Sequence, residues 1–357
     1  MNGFYAPFAT LDVGGRLLVL MAAASIVLAI IAIALAITTL VLRQRHLRTA
    51  LRWKGLEARW ESELLDMLSG DRAADVLTDR VSPSDALYFV DYLSRFARRL
   101  RGSERAIIVD VAAPYLPRMA RQMHAPRAVV RARAVRTLSL LGIHEYAPAI
   151  IAALDDRSPL VAMTAARELT RREQPDFANA VLERLSQFRH WSPEFLATML
   201  AAIGPDAASP LRTMFGNARE LLEVRVVAAD ALRMLNDIPS ADIAADLASG
   251  RNDRDLVAAS LRLLKACGSP RHAPCVRALA GHVDDVVRMH ACAALGTLGD
   301  AEDVPMLVAA LDDRSTWVAW RAANALRVAG GRTALERFAA TAHPRADLAR
   351  EALAESA

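Results

Sequence analysis

Residues Val287–Gly299 read VRMHACAALGTLG and residues Val318–Gly330 read VAWRAANALRVAG, one helical phrase written twice, 31 residues apart. Counted from Val287 as position zero, a small residue (Ala291) falls at plus 4, Leu295 at plus 8 and Gly299 at plus 12. Ala322, Leu326 and Gly330 repeat the pattern. Residues four apart lie over one another on a helix, so plus 4 and plus 8 mark one buried face. Glycine at plus 12 suits a helix C-terminus, where a positive φ is commonly required. Working outward, the same frame starts at Val130, Val161, Ser192, Val227 and Leu256, giving spacings of 31, 31, 35, 29, 31 and 31 residues over seven units. All seven carry leucine at plus 8, from Leu138 to Leu326, and only the Ser192 unit lacks a small residue at plus 4, having Leu196 there. The glycine is missing from the Val161 and Val227 units. Four of the glycines are followed six residues later by a proline (Pro148, Pro210, Pro274, Pro305). Proline is tolerated in a first turn, so each predicts where the next helix begins.

The frame predicts a pair of antiparallel helices per unit, in which leucine fills the core and the small residue lets a neighbour approach. One pair cannot bury its apolar face alone, so the units must stack into a continuous body. The fold class is therefore all-α. The residues of the frame resemble HEAT repeats of the short bacterial kind, also described as phycobilisome-lyase HEAT-like, over roughly residues 129–330. The resemblance implies a right-handed α-solenoid of stacked helix pairs, and pairing of Arg131 and Arg288, both at plus 1, with the aspartate pairs of neighbouring units. Some relatives of these repeats are bilin lyases, which implies an alternative function as an enzyme or enzyme subunit with a lyase-like site in the solenoid groove.

Ahead of the repeats lies a different composition. Leu17 to Leu42 is 26 residues without a charge, enough to cross a hydrocarbon core of about 30 Å as a helix. The basic cluster follows this stretch rather than preceding it, the order of a stop-transfer anchor and not of a cleaved signal. The predicted organisation is a short extracytoplasmic tail (1–16), a transmembrane helix (17–42), a basic juxtamembrane helix (43–68), leading helices that cap the stack (69–128), and the solenoid (129–357). Only Arg16 precedes the span, whereas Arg43, Arg45, Arg48, Arg52, Lys54 and Arg59 follow it. The positive-inside rule then puts the N-terminus outside and the solenoid in the cytoplasm of a bacterium, a single pass through the inner membrane. Three scattered cysteines suit a reducing compartment.

The net charge of +4 resolves into blocks. Residues 95–136 hold eleven arginines against two acids, whereas 137–357 hold 24 basic against 28 acidic residues. The repeats are thus mildly acidic in sum, which argues against a nucleic-acid surface along their length. Arg95, Arg98, Arg99 and Arg101, with Arg131, Arg133 and Arg136, are the candidate residues for docking an acidic protein partner or lipid head groups. Arg43, Arg45, Arg48, Trp53 and Trp60 are candidates for the membrane interface, with packing of both tryptophans in the first layer of the stack as the competing reading. The pairs Asp155-Asp156, Asp284-Asp285 and Asp312-Asp313 precede helix starts, where carboxylates cap free N–H groups. Cys267, His272, Cys275, His282, His290 and Cys292 include one ligand-like spacing without a second matching half, so no metal is expected. No nucleophile elbow, phosphate loop or dinucleotide fingerprint is present. The chain therefore reads as a membrane-anchored scaffold that recruits a protein, with no catalytic residue, cofactor or small-molecule substrate. The binding face is expected on the second helix of each unit, where Arg133, Glu194, Arg262 and Arg321 vary.

Overall fold

A computed structural model describes residues 13–69, 74–172 and 174–355, and the chain divides into two units, one ending at Tyr115 and the other beginning at Leu116. No strand occurs among the described residues.

The first unit opens with α1 (Val13–Leu68), a single helix of 56 residues. Its Leu20–Gln44 segment is apolar, with a mean hydropathy of 2.9, and none of it is buried within the protein. Each exposed leucine or isoleucine there leaves roughly 1.5–3 kcal/mol of burial unrealised in water. A segment of this length and composition can cross a membrane or act as a signal sequence. The other end of α1 is built differently. Trp60, Leu64 and Met67 are buried against α2 (Ala74–Asp79), α3 (Ala86–Ala97) and α4 (Gly102–Ala112), with Phe89, Leu93 and Ile108 completing the core. The start of α3 is fixed by a contact with α1. Asp85 occupies its N-cap without a side-chain cap bond, because its carboxylate accepts instead from Arg52 Nη2 of α1 at 2.6 Å.

The second unit is a succession of helices in two rows. The even row is α6 (Ala128–Leu141), α8 (Pro159–Thr170), α10 (Pro193–Ala201), α12 (Leu222–Met234), α14 (Arg254–Cys267), α16 (Asp285–Leu298), α18 (Thr316–Val328) and α20 (Ala346–Ala354). The odd row is α5 (Leu116–Gln122), α7 (Ile143–Ala152), α9 (Pro175–Leu182), α11 (Ala208–Gly216), α13 (Ser240–Ser249), α15 (Ala273–Leu279), α17 (Val304–Ala310) and α19 (Arg332–Ala339). Each even helix packs on the next even one, and on odd helices beside it, as stacked helix pairs require. The step from α8 to α10 is the thinnest. There the spacing stretches to 35 residues, and Phe188 and Trp191 stack at 4.1 Å in the added turn. The stack begins at α5, which packs on α6, so Leu116 rather than residue 129 opens it.

The frame explains the core. Position plus 4 is buried in all seven units, and six of the seven plus 8 leucines are fully buried. Leu235 is the exception, half-buried because α12 ends at Met234 and leaves it as the C-cap. The glycines do two different jobs. Gly204 and Gly330 take positive φ, +92° and +76°, as the sequence predicts. Gly268 and Gly299 do not: a Cβ there would meet the Leu264 and Leu295 carbonyl oxygens at 2.4 and 2.6 Å, so the absence of a side chain is what they supply. In the Val227 unit, which lacks the glycine, Asn236 takes the left-handed conformation at φ +55°. Pro210, Pro274 and Pro305 fall in first turns. Pro148 does not, because α7 has already started at Ile143.

Burial rather than residue identity sets the worth of each frame leucine. Leu295→Ala should cost about 2–5 kcal/mol in urea unfolding. Leu235→Ala, at the same frame position but half-buried, should cost less than about 1.5 kcal/mol; equal losses would contradict the packing described.

Candidate functional site

The register of the even row is held by buried ion pairs. Arg131 of α6 is buried and gives a two-pronged contact to Asp156, Nε to Oδ2 at 2.8 Å and Nη2 to Oδ1 at 2.7 Å. Its Nη1 donates to the Ala125 and Pro126 carbonyls. Arg288 of α16 repeats this on Asp313 (2.7 and 2.9 Å) and on the carbonyls of His282 and Val283. In each case plus 1 of one unit reaches minus 5 of the next, as the resemblance implies. The same aspartates accept from the Ser158 and Ser315 N–H groups at the starts of α8 and α18. Hydrogen bonds from Arg131 and Arg288 hold the Asp156 and Asp313 carboxyls below their ordinary range, against an opposing effect of burial. Arg131 is therefore a structural residue, not a docking one: every part of its guanidinium is committed inside the stack. Asp284, in the third pair, caps α16 by accepting from Val286 and Val287 N–H.

With the core at plus 4 and plus 8, position plus 6 falls on the open face of the even row, and none of its seven residues is buried. Plus 6 is arginine in four of seven units: Arg136, Arg167, Arg233 and Arg262. Two surfaces form there. The first, a groove of about 400 Å³, joins Arg133, Arg136 and Arg167 to apolar Val129, Leu160 and Phe195. Val129 and Leu160 are 69% and 47% exposed, so this groove offers apolar contact ringed by guanidinium groups. The second surface lies on α12 to α18. Two adjoining grooves of about 300 and 310 Å³ share Lys265, Ala293 and Arg321, with Arg233, Arg262 and His290 on one side and Trp320, Asn324 and Arg327 on the other. Asp230 lies among these cations, and both its oxygens are taken: Arg262 donates to them at 3.1 and 2.8 Å, and Arg233 to one at 3.2 Å. Arg321 lies over the Trp320 ring, 4.7 Å from its centroid. Burial, then the charges of Arg262 and Arg321, push the His290 imidazole down to about 4 against a partly opposing Asp230, so it is neutral at pH 7.

The remaining candidates fall in the first unit. Arg98, Arg99 and Arg101 are exposed, and among the described residues no carboxylate pairs with them. Arg95 is different: with the Tyr88 hydroxyl it donates to Glu57 of α1, and it rests over the Tyr92 ring at 5.5 Å. Trp53 stacks on Tyr88 at 3.7 Å, and Trp60 is 3% exposed against Phe89 and Tyr92. Trp60 is thus core, which corrects its placement at a membrane interface, and Trp53 is held by a ring partner. Arg43 and Arg48 are exposed on α1; the side chain of Arg45 lies outside the described residues.

The cysteine and histidine cluster does not converge, and no metal-binding group of side chains occurs among the described residues. His272 is taken by Asp242 at 3.0 Å and by Ser269, and Cys292 is buried in the core with its thiol pushed up to about 12, first by burial. The sequence reading named Arg136, Arg262 and Arg321 but missed that Arg167 and Arg233 join them in a plus 6 row and that Lys265, His290 and Arg327 gather about Arg321. The signal was present in the repeat frame, but the mildly acidic sum of the repeats concealed it, because acids and bases lie on different surfaces.

A sequence model described as HEAT repeats matches residues 116–192, 247–327 and 274–357. No curated protein sequence matches the chain. Among solved structures, the complex of CpcE and CpcF of phycocyanin lyase from a Nostoc species is 20% identical, covering 68% of this chain and 87% of that one, with a TM-score of 0.32. The YibA protein of E. coli is 14% identical over 77% of this chain and 96% of its own, with a TM-score of 0.42. Kap121p bound to Pho4p is 13% identical over 72% of this chain and 35% of that one, also at 0.42.

Two pH effects should separate. An unfolded histidine titrates near 6.5. From there down to about 4 the unfolded chain binds a proton that folded His290 refuses, so stability should fall with pH through that window. After discounting for partial solvent screening the loss is about 2 kcal/mol, and His290→Gln should remove it from a series of thermal melts. Asp156 and Asp313 act lower. Their depressed folded values make their contribution complete above about pH 4 and lost as pH falls further. Asp313→Asn should therefore lower the melting midpoint more at pH 7 than at pH 3.

Proposed function

This chain belongs to the HEAT-repeat family, and from that premise we propose that it is a membrane-anchored scaffold that binds and recruits a protein partner through its repeat unit. The observation that carries the reading is the combination on α1: the exposed apolar Leu20–Gln44 segment and a C-terminal end buried in the folded first unit belong to one helix. Such a helix ties the protein to a bilayer through its own core. The anchor would sit in a bacterial inner membrane with the repeats in the cytoplasm, supported by the basic flank after the span and by three free cysteines. Holding a partner near the membrane raises its effective concentration there.

The even-row face supports binding over chemistry. Its grooves are open, its carboxylate Asp230 is fully committed to Arg262 and Arg233, and its imidazole is ringed by cations. A lyase-like site would call for an acid or nucleophile free to meet a substrate.

Carbonate-washed membranes should retain the full 38.7 kDa chain; a soluble product shortened by the apolar segment would overturn the anchor. Crosslinking from those membranes should capture a discrete partner. Replacing Arg98, Arg99 and Arg101 together by Glu tests whether the basic end of the first unit contributes. Arg95 is left intact, because its bond to Glu57 holds α3 to α1. Absence of any discrete crosslink in the wild type would sink the recruitment reading.

A further inference from the structure

The adjoining grooves on α14, α16 and α18 gather more positive than negative charge. Their walls bring together Arg233, Arg262, Lys265, Arg321 and Arg327, against Asp230 and, at the far edge, Glu355. Asp230 serves Arg233 and Arg262. Among the described residues Lys265, Arg321 and Arg327 have no ion-pair partner. The Nε atoms of Arg321 and Arg327 are buried and make no hydrogen bond. Like charges held together in a partly dry site are costly unless an anion joins them. The floor is shaped to admit one. Gly296 brings α16 against α18 so closely that a Cβ would lie 2.9 Å from Ala325 Cα, and Ala293 leaves the space above it open. Beside the cations, Trp317 and Val328 are 68% and 57% exposed.

We propose that this surface is the receptor for an acidic, extended segment of the protein partner, one that presents Asp or Glu side chains six residues apart. The proposal rests on reading the repeat unit as a recruitment surface and names the chemistry of what it recruits. The argument for the spacing is geometric. Adjacent packed helices lie about 8–10 Å apart, so the cations of α14 and α18, with α16 between them, are presented at about twice that interval. A polyproline II segment rises about 3.1 Å per residue and returns to the same face every third residue, about 9 Å on. Two such returns, six residues, span from α14 across α16 to α18, so one acid meets Lys265 on α14 and another meets Arg321 and Arg327 on α18. Intervening apolar residues would lie against Trp317, Trp320 and Val328. Grooves of about 300 Å³ fit single carboxylate side chains, not a nucleic-acid duplex.

The test uses the full chain in detergent and a fluorescein-labelled synthetic peptide of about 15 residues, Glu-Pro-Pro repeated, in fluorescence anisotropy. Its control has the same composition with the glutamates contiguous. A charged hydrogen bond of this kind corresponds to about tenfold in affinity, so the spaced peptide should bind at least about tenfold more tightly than the contiguous one. The triple variant Lys265→Gln, Arg321→Gln, Arg327→Gln should lose at least about tenfold of that affinity. The variant should also melt within a few degrees of wild type, since among the described residues none of the three cations has an ion-pair partner and only the contact of Arg321 with the Trp320 ring is lost. Equal binding of both peptides would overturn the proposal. So would unchanged binding by the variant, or tighter binding of a single-stranded oligonucleotide or of phosphatidylglycerol vesicles that the same substitutions abolish. Partner capture at membranes is read separately by crosslinking. A partner still crosslinked by the triple variant would refute this groove as its receptor while leaving recruitment intact.

Discussion

The contact of each even helix with the next is the constraint on which the second unit depends. A residue no larger than alanine or serine at plus 4 lets the helices come together, and leucine at plus 8 fills the space beside it. Neither position does its work within one unit, because each buries itself against a neighbour. The consequence is directional. Once plus 4 and plus 8 face inward, plus 6 must face out along the same row, and whatever the sequence places there becomes a surface shared by several units. A partner surface is therefore generated by the packing rule, not added to it. Where Leu196 replaces the small residue and the spacing lengthens, the α8–α10 step thins and the face divides into two groove regions.

Charge is sorted by the same geometry. The aspartates before α8 and α18 are drawn into the stack by Arg131 and Arg288, where they fix the register of neighbouring units. Burial of such pairs adds little net stability over apolar packing but penalises a wrong register heavily, since a slipped unit would leave a charge unpaired. The arginines at plus 6 have no such inward partner. An overall acidic repeat region thus carries a basic face, and the sum over the chain is uninformative about either surface. His290 reports the imbalance: its imidazole is kept neutral by burial and by Arg262 and Arg321 on the helices to either side of α16.

The first unit solves a different problem, that of ending an apolar helix in a folded body. Glu57 draws Tyr88 and Arg95 of α3 onto α1, and Trp60 closes the core beneath them. Arg95 and Trp60 look like surface residues in the sequence because arginine and interfacial tryptophan so often are. Their partners are more than 25 residues away in the chain, and no local pattern announces them.

The sequence by itself determined the helix pairs, their period, the inward face and the apolar segment, because each is a matter of spacing along a helix or of composition over a window. The resemblance carried by the repeat frame implied that Arg131 and Arg288 pair with the aspartate pairs of neighbouring units, and the structure shows Asp156 and Asp313 as the partners. Only the tertiary structure decided which arginines are locked inside the stack and which line a groove. Arg131, Arg133 and Arg136 lie within six residues, yet the first is locked inside the stack and the other two line a groove. That difference depends on what a neighbouring unit offers at the same height, and on burial, neither of which a residue's own position in the chain records. The cluster of Lys265, His290, Arg321 and Arg327 is assembled from three helices that stacking brings side by side. Proximity of that kind is created by folding.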